Sequence, residues 1–307
     1  MNDDCIDLLR RVVGTHRPAM RPAAPSILVG LIGRGIQLSR TPAMHEQEAA
    51  RLGLNCTYVL VDFDMLGLAD TALADILAAG AALGFQGFNV THPFKQAIVP
   101  GLDALAPEAA AIGAVNTVVY GERRTTGHNT DSWGFSENFR RGLGDVGRAR
   151  VVQFGAGGAG AAVAHALMDL GVQHLGIYDT DGARAEALAD RMRADRGDRG
   201  RGDRVRAVDS VADALLAADG VVNTTPVGMA KYPGVPFPAA HLRARHWVAE
   251  IIYIPEETEL LRVARAMGCR TLSGTGMAIG QAVRAFELFT GRKSTMASMA
   301  CHFETAA

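Results

Sequence analysis

The sequence predicts an α/β protein of two domains, and three observations carry that prediction. At 307 residues the chain is longer than one hydrophobic core usually serves, although a single large domain is the competing architecture. Short apolar runs alternate along it with alanine-rich segments of helical length, the pattern of parallel strands joined by helices. A glycine-rich turn, Gly155-Ala156-Gly157-Gly158-Ala159-Gly160, then lies between the apolar run Val151-Val152-Gln153-Phe154 and a helical segment, as at the start of a second unit.

Taken in order, residues 27–32 read as a strand ending in Gly33, followed by a polar loop to Thr41-Pro42 and a helix over 44–52. Pro42 suits the first helical position, where a missing N–H costs nothing, and Thr41 suits the cap. Residues 57–63 read as a strand, 66–83 as an alanine-rich helix, and Gly87–Val90 as a short strand running into Thr91-His92-Pro93. Residues 114–120 and 123–128 look like two strands turning at Gly121-Glu122, with a helix over 132–141 closing the first domain. The second unit opens with the strand Arg150–Phe154, a helix to residue 170, a strand over 175–178 and a helix over 183–192. Strands Gly220–Asn223 and 247–251 precede helices over 256–267 and 276–290. The stretch 191–206, rich in Arg, Asp and Gly, reads as a solvated loop that buries too little to offset ordering entropy.

Composition narrows the function. Hydrophobic residues at 48% and charged residues at 21% suit a globular protein. A formal net charge of −1 gives no electrostatic case for nucleic acid or an anionic membrane, so a small-molecule partner is expected. Cys5, Cys56, Cys269 and Cys301 are widely spaced, which argues against a metal site or a disulfide framework. Residues 1–21 mix acidic and basic side chains and lack a secretory apolar segment, and no run reaches membrane-spanning length. The expected location is the cytoplasm.

The glycine turn has the full context of a dinucleotide site. Its first glycine permits the tight turn, the second lets backbone approach a pyrophosphate, and the third allows close helix packing, with the helix N-terminus facing the phosphates. Asp179 ends the next strand, where a carboxylate accepts hydrogen bonds from the adenosine ribose hydroxyls and opposes a 2′-phosphate. This points to NAD over NADP. The competing role for Asp179, capping the helix near Asp181, stays open.

Four further fragments bear on the substrate: Leu38-Ser39-Arg40-Thr41-Pro42, Asn89-Val90-Thr91-His92-Pro93-Phe94-Lys95, Ala114-Val115-Asn116-Thr117, and Asn129-Thr130-Asp131. With the glycine turn and a late Gly276-to-Gln281 spacing, they resemble the shikimate/quinate dehydrogenase family, motif by motif and in order, over residues 27–292. The resemblance implies an N-terminal α/β substrate domain (residues 1–130, completed by 274–307) and a Rossmann domain (131–273), with the active site in a cleft between them. It implies Lys95 and Asp131 as the catalytic pair, and Ser39, Thr41, Thr91, Asn116, Gln281 and Tyr253 as substrate contacts. For the cofactor it implies Gly155, Ala156, Gly157, Gly158, Ala159, Gly160 and Asp179, with Arg184, Thr224, Pro226 and Met277. No metal is implied.

Removing hydride from an alcohol needs a group to take its proton, so Lys95 reads as acid/base or as electrostatic stabiliser of the alkoxide, oriented by Asp131. Ser39 and Thr41 would hold a substrate carboxylate through hydroxyl donors. Gln281 meets either the ligand or local backbone, and His45, His92 and His128 receive no role. The chain departs from common shikimate enzymes at Leu38 and Thr41, at Asp179-Thr180-Asp181 in place of the N-R-T of NADP-using relatives, and at Glu250 in place of aspartate. Leu38, Thr41 and Asp179-Thr180-Asp181 resemble the NAD-preferring quinate/shikimate branch, expected as monomer or homodimer. A shikimate-specific or aminoquinate enzyme and a non-catalytic sensor are the alternatives.

Overall fold

Strands covered by protein on both faces need nearly continuous apolar sequence, and the run Ile27-Leu28-Val29-Gly30-Leu31-Ile32 has it. The computed structural model describes residues 3–16, 26–122, 124–195 and 204–305. Contacts divide the chain into two units, Met1–Thr130 with Ala282–Ala307, and Asp131–Gln281. The expected second junction, at residue 274, lies ahead of this division.

In the first unit the chain runs α1 (Asp3–Thr15), β1 (Ser26–Gly33), α2 (Thr41–Arg51), β2 (Asn55–Asp62), α3 (Leu73–Ala82), β3 (Gly87–Val90), α4 (Phe94–Ala97), β4 (Ala104–Leu105), α5 (Pro107–Ile112), β5 (Thr117–Tyr120) and β6 (Thr125–His128). The sheet order is β2-β1-β3-β5-β6-β4. β1 pairs in parallel with β2 and β3, whereas β5 runs antiparallel to β3 and β6. Ile32, Val61, Phe63, Phe88 and Phe94 build its core with Leu9 of α1.

The second unit contains α6 (Thr130–Leu143), β7 (Arg150–Phe154), α7 (Gly158–Asp169), β8 (His174–Tyr178), α8 (Gly182–Asp195), β9 (Val205–Ala207), α9 (Val211–Ala217), β10 (Gly220–Asn223), β11 (Trp247–Glu250), α10 (Glu259–Ala266) and β12 (Arg270–Leu272). Its six strands lie in the order β12-β11-β10-β7-β8-β9, every pair parallel, which is the doubly wound dinucleotide-binding topology. Small residues let α7 lie close on the sheet: Gly160, Ala161, Ala162, Ala164 and Ala166 are all buried. Helix α11 (Thr275–Thr290) carries the chain from one unit to the other, and α12 (Met296–Thr305) follows. α12 docks on α2 through the buried Glu48 carboxylate, which accepts from Ser294 Oγ at 2.7 Å and faces His302 Nε2 at 3.1 Å.

Several expectations need correction. α2 starts at Thr41 itself, so Arg40 holds the cap position and Thr41 makes no cap hydrogen bond. The helix expected over 66–83 begins at Leu73, because Gly67 adopts φ +63° and residues 70–72 form a single 3₁₀ turn. The solvated loop expected over 191–206 is helical as far as Asp195, with Met192 fully buried, and Val205 opens a strand; residues 196–203 lie outside the described residues. Arg123, expected to start β6, also lies outside them. α1, α4, α5, α9, α12, β4, β9 and β12 were not anticipated. Among the described residues no helix is long and apolar enough to cross a membrane.

Candidate active site

Ligands of open α/β sheets bind beyond the carboxyl ends of the strands, and the polar motifs of the first unit gather there. After β1 the chain forms the loop that carries Ser39 and Thr41. One carboxylate holds it: Asp62, ending β2 and 1% exposed, accepts from Gly35 N (3.0 Å) and Asp64 N (3.1 Å) on Oδ1, and from Ile36 N (3.0 Å) and Gln37 Nε2 (2.9 Å) on Oδ2. Burial pushes the Asp62 carboxyl up, but those four hydrogen bonds outweigh it and hold it below its usual value. Arg34 then ties the same loop to Asp64 at 2.5 Å and to the Leu68 carbonyl at 2.9 Å. Ser39 Oγ accepts from Thr41 N at 3.3 Å, so the two hydroxyls are neighbours at the start of α2.

This loop meets the Thr91–Lys95 motif directly. Arg34 N donates to His92 O at 3.2 Å, and a side chain at Gly33 would strike Thr91. The His92–Pro93 peptide is cis. Lys95 lies half-buried in α4, and its carbonyl accepts from Val115 N at 2.7 Å, which fastens the Ala114–Thr117 fragment beside it. Asn116, 3% exposed, accepts from Thr130 N at 2.8 Å through Oδ1 and donates from Nδ2 to Thr130 Oγ1 at 2.9 Å. Asn89 donates to Thr117 Oγ1 at 3.0 Å and accepts from the Tyr58 hydroxyl at 2.7 Å, while Asn129 donates to Ala114 O at 2.9 Å. Much of the polar sequence here thus fixes backbone, including the segment that leads into Asp131. Asp131 itself is 5% exposed in the first turn of α6. The histidines stand apart: burial among Tyr58, Phe286 and Phe289 lowers His45 to about 4, His92 is exposed, and His128 pairs with Glu108 at 3.2 Å.

In the second unit the glycine turn is built as the motif requires. Gly155 has φ +102°, and a Cβ there would stand 2.7 Å from Thr224 Oγ1. A Cβ at Gly160 would collide with Gly155 O, whereas one at Gly157 would meet nothing within 4 Å. Open space at Gly157, at the N-terminus of the twelve-residue α7, fits a pyrophosphate. Thr224 Oγ1 donates to Phe154 O at 2.7 Å and Gly155 O at 3.0 Å. Asp179, half-buried, accepts from Ala156 N at 2.8 Å on one oxygen and from Asp181 N at 3.0 Å on the other. Asp181 caps α8 by accepting from Ala183 N at 3.1 Å, and exposed Arg184 lies 3.4 Å from it. Pro226 O accepts from Met229 N at 3.1 Å.

A second carboxylate organises the loops after β10 and β11. Glu250, 1% exposed, accepts from Asn223 Nδ2 at 3.0 Å, Ile251 N at 2.9 Å, Ile252 N at 3.2 Å and Thr258 Oγ1 at 3.2 Å. Burial pushes it up to about 7 despite those bonds. Half-buried Tyr253 follows in the same loop, and Met277 lies buried in α11. Gln281 donates to Ala278 O at 3.1 Å, the local backbone partner foreseen as its alternative. A Cβ at Gly134 would sit 2.7 Å from both Met277 O and Gln281 N, so this glycine allows α6, which carries Asp131, to cross α11 at backbone contact. Gly134 and Asp62 escaped the sequence reading, since they act through partners distant along the chain, and Gln153 escaped it although its partners, Gly155 and Gly160, are near in sequence. A cavity of about 230 Å³ lined by Asp219, Arg245, Trp247 and Arg270 lies at the amino ends of β7, β10, β11 and β12, away from every motif residue.

Comparison with known proteins agrees with this arrangement. Residues 31–118 match the model of the shikimate dehydrogenase substrate binding domain, and 274–294 that of the shikimate 5′-dehydrogenase C-terminal domain. A shikimate dehydrogenase (NADP(+)) of Streptomyces avermitilis is 54% identical over 87% of this chain and 91% of its own length. A quinate/shikimate dehydrogenase (NAD(+)) of Corynebacterium efficiens is 49% identical over 91% of this chain and 98% of its own. The quinate dehydrogenase of Corynebacterium glutamicum, solved in complex with NAD, superposes with a TM-score of 0.83 at 47% identity, covering 92% of this chain and 99% of that one. With a substrate-binding α/β unit, a doubly wound unit and these relatives, the chain belongs to the shikimate dehydrogenase family of nicotinamide-nucleotide oxidoreductases.

Proposed function

We propose that the chain is an NAD-dependent quinate/shikimate dehydrogenase, moving hydride reversibly between a ring carbinol of quinate or shikimate (giving 3-dehydroquinate or 3-dehydroshikimate) and the nicotinamide. The observation that carries this reading is the gathering of Ser39, Thr41, Thr91, Lys95 and Asn116 around the carboxyl ends of β1 and β3, where the Lys95 carbonyl accepts from Val115 N. We take residues 1–130 with 274–307 as the substrate domain and 131–273 as the nucleotide domain.

The nicotinamide nucleotide supplies the hydride acceptor. Lys95 as the neutral amine takes the hydroxyl proton, or as the ammonium stabilises the alkoxide, as the C–H bond breaks, and Asp131 orients the Lys95 side chain and hydrogen-bonds the substrate hydroxyl. Ser39 and Thr41 donate to the substrate carboxylate, while Thr91, Asn116, Gln281 and Tyr253 contact the ring and its hydroxyls. Gly155 to Gly160 receive the pyrophosphate, Arg184, Thr224, Pro226 and Met277 complete the nucleotide contacts, and Asp179 takes the adenosine ribose. A 2′-phosphate facing the Asp179 carboxylate would be repelled, which supports NAD. The relative from Streptomyces avermitilis, named for NADP(+) and shikimate alone, favours a second reading, an NADP-using shikimate dehydrogenase.

Steady-state kinetics crossing quinate and shikimate with NAD and NADP separate these readings. The expected result is turnover of both polyols with kcat/KM at least about tenfold higher for NAD, the discrimination that about 1.4 kcal/mol gives. An NADP preference removes Asp179 from its role, and the absence of turnover with any cyclic polyol leaves a sensor. Lys95→Ala should lower kcat by about 10²–10⁴.

A further inference from the structure

Gln153 is fully buried in β7, one residue before Phe154 closes the strand. A buried polar side chain is costly unless its hydrogen bonds are met, and here they are met on one side only. Nε2 donates to Gly155 O at 2.9 Å and to Gly160 O at 2.9 Å. Oε1 has no partner. An apolar residue would avoid the orphaned oxygen, so what distinguishes glutamine at this position is its pair of N–H donors.

Those donors reach the two ends of the glycine turn. Gly155 is its entry, with φ +102°, and Gly160 lies in the first turn of α7, so close that a Cβ would collide with Gly155 O. Thr224 Oγ1 adds a further donor to Gly155 O at 3.0 Å. The loop amides at its beginning are already used: Gly155 N donates to Tyr178 O at 2.7 Å, and Ala156 N to Asp179 Oδ2 at 2.8 Å. Amides in the first turn of a helix have no intrahelical acceptor, and those of Gly158, Ala159 and Gly160 stand in that turn. Pulling the carbonyls at both ends of the turn back onto the strand fixes where these amides point. We propose that Gln153 is a positioning residue for nucleotide binding: its amide staples the entry and exit carbonyls of the glycine turn, so that the amides that receive the pyrophosphate are aligned before the nucleotide arrives. The proposal rests on the dehydrogenase reading, and it assigns no chemistry to Gln153 at the reacting carbon.

The test uses the full chain and two variants. Gln153→Met keeps length and loses both donors, and Gln153→Glu, whose carboxyl is driven neutral by burial beside two carbonyls, keeps one. The dissociation constant of ADP, which carries the adenosine and pyrophosphate but no nicotinamide, is measured by calorimetry together with kcat at saturating nicotinamide nucleotide and KM for the polyol. ADP binding should weaken at least tenfold in the Met variant and less in the Glu variant, with kcat and the polyol KM within threefold of wild type. Unchanged ADP affinity in the Met variant overturns the proposal, as does a parallel loss of ADP affinity, kcat and polyol KM. Should the Met variant not fold, the Glu variant decides: ADP affinity equal to wild type, or lost together with kcat and polyol KM, overturns the proposal. Failure of the wild-type protein to bind ADP, NAD or NADP would instead remove the dehydrogenase reading itself.

Discussion

The loop after the first strand of each unit is held by an aspartate at the end of the neighbouring parallel strand, and the two aspartates differ in what they have left over. Asp62, at the end of β2, accepts four hydrogen bonds from residues 35–37 and 64 and is 1% exposed. A carboxylate offers about four lone-pair sites, so Asp62 is saturated. Asp179, one residue past β8, accepts two, from Ala156 N and Asp181 N, and stays half-buried. It therefore keeps acceptor capacity and an open side, which the proposed function gives to two ribose hydroxyls. The same residue type in the same topological place is thus saturated in one unit and keeps acceptor capacity in the other, and the count of filled lone pairs distinguishes them.

The comparison is easiest to break with paired truncations. Asp62→Ala leaves four donors to find water, and because Gly35 and Gln37 are exposed some succeed. We expect a loss of about 3 kcal/mol in denaturant unfolding and a polyol KM raised at least about tenfold as the Ser39 loop loosens. Asp179→Ala should cost only about 1 kcal/mol of stability yet weaken NAD at least about tenfold and erase discrimination against NADP. Equal stability losses with unchanged cofactor preference would end the distinction.

Glu250 sharpens it, being also saturated and 1% exposed but lying deeper than Asp62, so that burial prevails and pushes it up to about 7. A folded-state value above the ordinary 4.5 means that the folded protein holds the proton more tightly. Its contribution to stability is then complete below about 4.5 and is lost as pH rises through about 7, a change on the order of 3 kcal/mol. Asp62 has the opposite sign: stability present above the ordinary aspartate value is lost as pH falls through its depressed one. Glu250→Gln should flatten the decline measured by denaturant unfolding between pH 5 and 8. A Gln variant with the wild-type slope would mean that Glu250 stays ionised throughout.

What the sequence made legible follows from the same contrast. The glycine turn is local, six consecutive residues after an apolar strand, so its geometry could be read directly, as could the strands Arg150–Phe154 and Gly220–Asn223. Asp62 and Gln37 are 25 residues apart, and Asn116 reaches Thr130 across 14, so neither pairing leaves a periodic trace. Gln153 looked like one more strand residue because its partners, Gly155 and Gly160, were being read for their own conformations. The overlong helix before Leu73 came from alanine and leucine content outweighing Gly67, whose φ of +63° stops a helix. β9 was hidden because Arg and Asp around 191–206 masked Val205, a single buried residue in a three-residue strand. Composition sets the average over such a stretch, while one apolar side chain in register decides the edge of the sheet.

The smallest stability effect belongs to Gly157→Ala, and it separates folding from ligand readiness most cleanly. Its φ of −75° suits alanine, and the added Cβ would meet nothing within 4 Å, so the unfolding free energy should stay within about 0.5 kcal/mol of wild type. Gly160→Ala, by contrast, drives a methyl into Gly155 O and should destabilise the nucleotide unit. Yet under the proposed function the space beside Gly157 is where backbone approaches a pyrophosphate, and a methyl there would occupy the ligand's volume instead of the protein's. Binding of ADP, followed by calorimetry, should therefore weaken at least about tenfold, or about 1.4 kcal/mol, in a protein that unfolds as wild type does. Wild-type affinity in that variant would mean that the phosphates pass elsewhere, and the open space at Gly157 would then reflect loose packing and not a ligand's outline.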